Sequence, residues 1–147
     1  MPIRCEIVSQ DRMVWEGDAD IVNIPGTDGD MGILPNHAPL LSTMRFGIIN
    51  VRSGGVDRFF TVAGGIVEVQ PQLVTILADT AENVEEIDIA RAEAARERAE
   101  EYLRSGPPPD SVDFMRLEAS LRRSNLRLEA VRKYRRSRRD FSQRHEE

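Results

Sequence analysis

Residues 58–78 have the sequence RFFTVAGGIVEVQPQLVTILA, in which three runs of β-branched and aromatic residues are separated by Gly64-Gly65 and Gln70-Pro71-Gln72. Such runs favour strands, and the residues between them favour turns or bulges. Similar runs extend back to the start of the chain, and we expect strands at Arg4–Ser9, Met13–Glu16, Ala19–Pro25, Met31–Leu34, Leu40–Met44, Gly47–Val51, Arg58–Val62, Gly65–Val69 and Leu73–Ala78. This pattern is typical of an antiparallel β-sandwich or barrel.

The composition changes after Asp79, where glycine is absent until Gly106 and alanine, glutamate and arginine predominate. These residues favour helix. Asp88 suits the N-cap of a helix from about Ile89 to Leu103, and Gly106 with the prolines after it ends that helix. A second helix is expected to start near residues 110–113, because apolar residues then recur at helical spacing: Phe114, Leu117, Leu121, Leu128 and Val131.

The first helix offers the second helix mainly small side chains. We expect its contact surface to be Ala90, Ala94, Ala95, Ala99, Tyr102 and Leu103. Alanines allow close approach but bury little area, so the antiparallel two-helix hairpin should be weakly held. The predicted fold class is α+β, with an N-terminal β-sandwich head at residues 1–84, a C-terminal helical hairpin at 85–136 and a basic tail at 137–147 that we expect to be disordered.

Composition and charge exclude several classes of protein. The chain has 147 residues, of which 40% are hydrophobic, and a formal net charge of −5, which does not indicate wholesale disorder. No apolar run approaches the roughly 20 residues of a membrane span, and the start of the chain lacks the basic and apolar segments of a secretion signal. The single cysteine, Cys5, excludes an internal disulfide and a clustered-thiolate metal site.

Motifs of known enzymes are absent from the chain. There is no phosphate loop of the Gly-x4-Gly-Lys-Ser/Thr type, no paired-histidine helix and no cysteine pair. His37 has no accompanying serine or cysteine nucleophile pattern, and a structural or interface role is the better interpretation. We therefore predict a protein with no catalytic residue, no metal site and no required cofactor.

The segment Gly29–Leu41, GDMGILPNHAPLL, closely resembles the head domain of epsilon subunits of F-type ATP synthases. AGGIVEV at residues 63–69, VTILAD at 74–79 and IDIARA at 87–92 follow in the order and spacing of that family. The resemblance covers about residues 1–135. It implies a β-sandwich followed by a helical hairpin, which agrees with the two patterns above.

The resemblance implies a non-catalytic rotor subunit in the central stalk of a proton- or sodium-driven synthase. The head would bind the gamma subunit and stand on the c-ring, with Asp30, Met31 and His37 at the rotor interface. The hairpin would either lie on the head or extend toward the catalytic alpha and beta subunits and inhibit ATP hydrolysis. The resemblance implies a peripheral protein at the cytoplasmic face of a bacterial cell membrane, which it contacts only through the c-ring. A location in an organelle is the less favoured alternative.

The segment at residues 87–92 also resembles the nucleotide-binding motif of ATP-sensing epsilon subunits. By this resemblance, a regulatory ATP would contact Glu82, Ile87, Asp88, Arg91, Ala92, Arg98, Arg123 and Arg127. The alternative is that Asp88 is only a helix cap and that the arginines are solvated or meet the catalytic subunits.

Two further functional classes stay open. Residues 116–144 contain eleven basic residues against three acidic ones, Glu118, Glu129 and Asp140, which indicates a basic arm. Such an arm is typical of nucleic-acid binding. Because the protein is acidic overall and the arm has few aromatic residues for base stacking, we predict that the chain does not bind nucleic acid. The third class is a free-standing ATP sensor, which would bind nucleotide without a synthase.

Overall fold

The computed structural model describes residues 1–145 of the chain. Over these residues, eight strands are followed by two α-helices, and a short 3₁₀ helix, Val84–Glu86, joins the two halves. The strands are β1 Ile3–Val8, β2 Met13–Ala19, β3 Ile21–Gly26, β4 Gly29–Ile33, β5 Leu40–Ser53, β6 Val56–Val69, β7 Leu73–Ala78 and β8 Ala81–Asn83. The helices are α1 Ile89–Ser105 and α2 Val112–His145.

The strands form one hydrogen-bonded sheet that folds over itself. Its order is β2-β1-β7-β6-β5-β3-β4, with β8 paired to β6. Although β1 and β3 are separated by three strands in this order, Ile7 and Val22 lie in the same buried cluster, so the sheet closes into two layers. The prediction of a β-sandwich followed by a helical hairpin is confirmed, with the exception that β1 pairs with β7 in parallel rather than antiparallel.

The long strands β5 and β6 each contain two of the strands expected from the sequence. Each has 14 residues, and their ladder keeps one register from end to end. Gly64 and Gly65 lie in the middle of β6 with φ angles of 93° and 135°. A Cβ at Gly65 would lie 2.2 Å from the carbonyl oxygen of Leu77, so only glycine lets the neighbouring strand approach here. The glycine pair therefore marks a bend within a continuous strand.

The first helix begins as expected, and half of its predicted contact surface is exposed. The Asp88 carboxylate accepts a hydrogen bond from the backbone N–H of Arg91 at 3.1 Å, and Gly106 ends the helix with a φ of 98°. Ala92 and Ala99 are its buried residues. Of the six predicted contact residues, Ala99 is buried and Ala95 and Leu103 are half-buried, on a stripe that continues from Ala92 at helical spacing. The other three are exposed because they lie off this stripe: Ala90, Ala94 and Tyr102.

The second helix is longer than the sequence predicted. It starts after Ser111, whose hydroxyl accepts a hydrogen bond from the Phe114 N–H at 3.1 Å. The disorder predicted from residue 137 is wrong as far as His145, where the described helix ends, and residues 146–147 lie outside the described part. Arginine is a good helix former and no glycine or proline follows Pro109, so nothing in the sequence ends the helix earlier.

Candidate functional site

The helices and the head meet through a small apolar contact that is separate from the head core. The core cluster of the sandwich lies entirely within residues 3–81. The contact with the helices is a second cluster of four buried residues, Phe59, Val84, Ala130 and Val131. The α2 helix therefore lies on the β5–β6 layer without contributing to the core of the head.

A cavity of about 400 Å³ lies where the head, α1 and α2 come together. Four elements supply its lining, namely the β1–β2 turn, β8 with the 3₁₀ helix, the start of α1 and the middle of α2. The lining residues are Arg12, Glu82, Glu86, Ile87, Asp88, Arg91, Ala92 and Arg127. Six of the eight residues proposed from the sequence to contact ATP thus surround one space.

The other two proposed contacts lie elsewhere. Arg123 lines a neighbouring cavity of about 30 Å³, which also reaches Glu82 and Arg127. Arg98 is exposed on α1 and lines neither cavity. Sequence reasoning in turn missed Arg12 and Glu86. Arg12 lies in a turn 74 residues before Glu86, and only the folded chain brings the two side chains together.

Two of the three arginines that line the cavity are already paired with carboxylates. Arg127 donates to both carboxylate oxygens of Glu82, from Nε at 2.7 Å and from Nη2 at 2.5 Å. These hydrogen bonds raise the pKa of Arg127, against the lowering effect of burial. Arg12 donates to Glu86 at 3.0 Å. Because three arginines face three carboxylates, an anion entering the cavity would have to compete with Glu82 and Glu86 for their arginines.

The start of α1 contributes a helix N-terminus to the cavity. Asp88 caps the helix through the N–H of Arg91, and Ile87, Arg91 and Ala92 lie within one turn of it. A helix N-terminus directs backbone N–H groups and a partial positive charge toward an anion. The cavity therefore combines a helix terminus with arginines from three elements.

Asp30, Met31 and His37 occupy two separate places on the head. Asp30 and Met31 lie in β4, which starts at Gly29, two residues before the predicted strand. The Asp30 side chain is 78% exposed and pairs with Arg45 at 2.5 Å. His37 lies beyond the other end of β4, where its Nδ1 is 2.7 Å from the carbonyl oxygen of Ala38. The structure does not bring the three residues to a single point.

Exposed apolar side chains form a row across four strands on the outside of the sandwich. Met13 of β2 lies opposite Val8 of β1, Val8 opposite Leu77 of β7, and Leu77 opposite Ile66 of β6. Met13, Leu77 and Ile66 are each about half exposed, at 47%, 51% and 46%. Contiguous apolar surface of this kind is typical of a protein–protein contact, and we call it the apolar row.

Comparison with known proteins assigns both halves of the chain to one family. The family model described as ATP synthase, Delta/Epsilon chain, beta-sandwich domain matches residues 2–84, and the model for the long alpha-helix domain matches residues 85–132. The ATP synthase epsilon chain of Herpetosiphon aurantiacus is 44% identical over 138 residues, covering 94% of this chain and 99% of the relative. The chain belongs to the ATP synthase epsilon family.

Another epsilon chain, from Halalkalibacterium halodurans, is 41% identical over 129 residues, which is 88% of this chain and 96% of that relative. The resemblance seen in the sequence is therefore confirmed, and so is its assignment to a non-catalytic subunit of F-type ATP synthase. Both family models and these relatives describe an ATP synthase subunit, so the nucleic-acid and free-sensor alternatives gain no support.

Solved structures show the same fold as this epsilon-family chain. A chain of the Euglena gracilis mitochondrial ATP synthase superposes with a TM-score of 0.62 at 23% identity, covering 89% of this chain and 78% of that one. A chain of the Tetrahymena thermophila mitochondrial ATP synthase central stalk and c-ring gives a TM-score of 0.56 at 12% identity, covering 89% and 97%. At these identities the likeness concerns the fold alone.

Neither a membrane-spanning helix nor a metal-binding cluster is found among the described residues. Neither helix within residues 1–145 combines the length and the apolar character that crossing a membrane requires. Among the same residues, no group of three or more histidine, cysteine, aspartate or glutamate side chains is arranged to hold a metal ion.

Proposed function

We propose that this chain is the central-stalk subunit whose head links the gamma subunit to the c-ring and whose hairpin inhibits ATP hydrolysis after leaving the head. The observation that carries this proposal is the separation of the two apolar clusters. The head keeps its whole core when the helices depart, and the departing helices expose only a small apolar contact. A two-state element requires such a balance between docked and free forms.

Release of the hairpin would expose surface suited to the catalytic subunits. The head-facing side of α2 carries Arg127, Ala130 and Val131, and its outer side carries further exposed arginines: Arg132, Arg135, Arg136 and Arg139. A basic helix matches acidic loops of a partner electrostatically. We place the alpha and beta subunits as the partners of the extended form.

The apolar row is the proposed gamma surface. It spans four strands and is half exposed, as expected of a face that a permanent partner covers. Asp30, Met31 and His37 are proposed contacts of the c-ring, whose position would hold the subunit peripherally at the cytoplasmic face of the membrane. Substituting Leu77 by arginine should abolish gamma binding, whereas Met115→Arg, at an exposed methionine on α2, should not.

The inhibitory role is tested by ATP hydrolysis of the cognate alpha-beta-gamma core. The full chain and a chain ending at Asn83, which retains the complete head core, are each added at saturating concentration. We expect inhibition by the full chain only, with equal binding of both chains to the core. If the core hydrolyses ATP at the same rate with either chain bound, the subunit couples the rotor but does not inhibit hydrolysis.

We propose in addition that the cavity between head and hairpin binds ATP as a regulatory ligand. Its volume, the N-terminus of α1 and the arginines from three elements support binding of a polyphosphate. A ligand held by the head and both helices would favour the docked hairpin, because release would dismantle the cavity.

Nucleotide binding to the isolated full chain can be measured by calorimetry with ATP. Arg91→Ala and Arg127→Ala should each weaken binding at least tenfold, since each removes a charged phosphate partner. Arg104→Ala, at the far end of α1, is the matched control and should leave binding unchanged. Absence of any heat change with ATP in the parent chain would leave Asp88 as a helix cap and the arginines as structural partners.

A further inference from the structure

The end of α2 makes a second contact with the head, beyond the residues that the family model covers. The model of the helical domain matches as far as residue 132, whereas α2 continues to His145. Tyr134, Ser137 and Phe141 recur at spacings of three and four residues, so they share one face of the helix. That face meets the 3₁₀ helix and the start of β6.

Asp57 is the centre of this contact. Its side chain is only 12% exposed and accepts hydrogen bonds from three residues, Arg52 at 2.9 Å, Asn50 at 3.3 Å and the hydroxyl of Ser137 at 2.7 Å. Ser137 is the donor that comes from the helix. A short hydrogen bond to an ionised, largely buried carboxylate is among the stronger polar contacts of a protein.

Two aromatic side chains flank this hydrogen bond. The Tyr134 hydroxyl donates to Glu85 at 3.1 Å, and the guanidinium of Arg138 lies 5.7 Å from the centre of the tyrosine ring. Phe141 is 39% exposed, and its Cε2 lies 3.9 Å from the position that a Cβ on Gly55 would occupy. The phenyl ring therefore lies beside Gly55 in the β5–β6 turn.

We propose that Tyr134, Ser137 and Phe141 form a latch that holds the hairpin on the head. These residues belong to the same uninterrupted helix as Ala130 and Val131, so the apolar contact and the latch engage and release together. Contacts joined by a rigid helix reinforce one another, because the first contact raises the effective concentration of the second. The latch thus sets the fraction of chains in which the hairpin is free.

The latch can be tested on the isolated full chain by thiol labelling. Val84, which is 4% exposed beneath α2, is replaced by cysteine, whose reaction with a soluble thiol reagent requires release of the helix. The native Cys5 is silent in the folded head, because it is fully buried and burial raises its pKa to about 12. Leu77→Cys, at an exposed position, gives the unhindered rate.

Latch substitutions are then compared in the Val84→Cys background. Ser137→Ala and Phe141→Ala should each increase the labelling rate about tenfold, as expected for loss of a charge-assisted hydrogen bond or of a packed ring. Ser137→Asp should increase it further, since two carboxylates would face each other, and Asp57→Asn in that chain should reverse part of the increase. Gln143→Ala, at an exposed position on another face of α2, should have no effect.

Two results would overturn the proposal. In the first, the latch variants label Val84→Cys at the parental rate, which would mean that the end of α2 detaches without releasing the rest. In the second, the parent already labels at the rate of Leu77→Cys, which would mean that the helix is free in solution. Unlabelled Cys5 in every variant shows that the head is still folded.

Any effect of the latch on ATP hydrolysis by the synthase rests on the proposed function. The existence of the latch in the isolated chain does not. The labelling experiment uses neither the synthase nor ATP. If the latch variants do not change the labelling rate, the test of inhibition by ATP hydrolysis is unaffected. If the full chain does not inhibit hydrolysis, the labelling result still stands. If both hold, Ser137→Ala should lower the concentration of the chain that half-inhibits ATP hydrolysis by about tenfold, the same factor as its effect on labelling.

Discussion

The core of the head and the contact beneath α2 are built from the same chain by different means. In the core, residues of β1, β3, β6 and β7 are sealed from water on all sides, among them Ile7, Val22, Phe60 and Ile76, each at 0% exposure. Beneath α2, four apolar residues are surrounded by hydrogen bonds and ion pairs that remain partly solvated. The core stabilises the fold of the head, whereas the contact beneath α2 holds the helices against the head.

This difference determines which changes each region tolerates. Close packing makes the core intolerant of any change in volume, because few gaps exist to absorb it. Polar contacts at a partly exposed interface exchange protein partners for water at little net cost. A hairpin that is held mainly by such polar contacts is able to leave the head without unfolding it. A mobile regulatory element requires this property.

The largest expected effect is that of Gly65→Ala. The new Cβ would lie 2.2 Å from the carbonyl oxygen of Leu77, and the φ of 135° is unfavourable for alanine. We expect a loss of about 4 kcal/mol or more in the free energy of unfolding, measured by urea denaturation. Gly29→Ala is the matched control, since its φ is 138° and no atom lies within 4 Å, and it should cost only about 1–3 kcal/mol. Equal losses would mean that backbone strain, and not the close approach of β7, keeps glycine at position 65.

The neighbours Phe59 and Phe60 test the comparison directly, because they point to opposite sides of β6. Phe60 lies in the core of the head at 0% exposure, and Phe59 lies under α2 at 8%. Phe60→Ala should lower the free energy of unfolding of the head by about 3–5 kcal/mol. Phe59→Ala should instead release the helices, measured as faster hydrogen exchange in α1 and α2 with the head protected. A similar loss of head stability in both variants would show that the two clusters form one cooperative unit.

The sequence predicted the architecture because its two hydrophobic periods are distinct, and it missed features that depend on distant parts of the chain. The Asp88 cap and the Gly106 stop are local signals and were found correctly. The long strand β6 was divided into two, because Gly64-Gly65 has the same local signature as a turn. The helix beyond residue 136 was missed because a run of arginines also fits a solvated tail, and its contact with Asp57 joins residues 80 positions apart.

The same limit applies to the candidate site. The residues proposed to contact ATP came from one motif and from arginines of the hairpin, and six of them line the cavity. Arg12 lies between polar turn residues and carries no motif, so nothing in its neighbourhood indicated a role. Its pairing with Glu86 depends on the fold of the whole head.

A smaller effect is expected for the ion pair between Glu82 and Arg127, which joins β8 to α2. Both side chains are about one-third exposed, so solvent screens the pair and its coupling energy should be about 0.5–1 kcal/mol despite the two hydrogen bonds. A double-mutant cycle with Glu82→Gln and Arg127→Gln, read by labelling of Val84→Cys, measures this coupling. The pair of Glu129 and Lys133 lies within α2 and is the control, since it should not affect docking. A coupling above about 2 kcal/mol would mean that the hairpin is fastened electrostatically.

The smallest expected effect is a change in the pKa of Asp57, and it tests whether Ser137 contacts Asp57 in solution. Burial alone would raise the pKa of Asp57, but hydrogen bonds from Arg52, Ser137 and Asn50 and the charge of Arg52 outweigh it, so the pKa lies below its ordinary value. A lowered pKa contributes stability above the ordinary carboxyl pKa of about 3.9, and this contribution disappears as the pH falls through the lower folded value. Docking should therefore be constant between about pH 5 and 8 as far as Asp57 determines it.

Carbon NMR of the Asp57 carboxyl group gives its pKa directly in the folded chain. Ser137→Ala removes one of the hydrogen bonds that lower this pKa, so the value should rise toward the ordinary range. Gln143→Ala, at an exposed position on another face of α2, is the control and should leave the pKa of Asp57 unchanged. If Ser137→Ala leaves the pKa of Asp57 where it was, the hydroxyl does not reach the carboxylate in solution, and the end of α2 is held by its aromatic side chains alone.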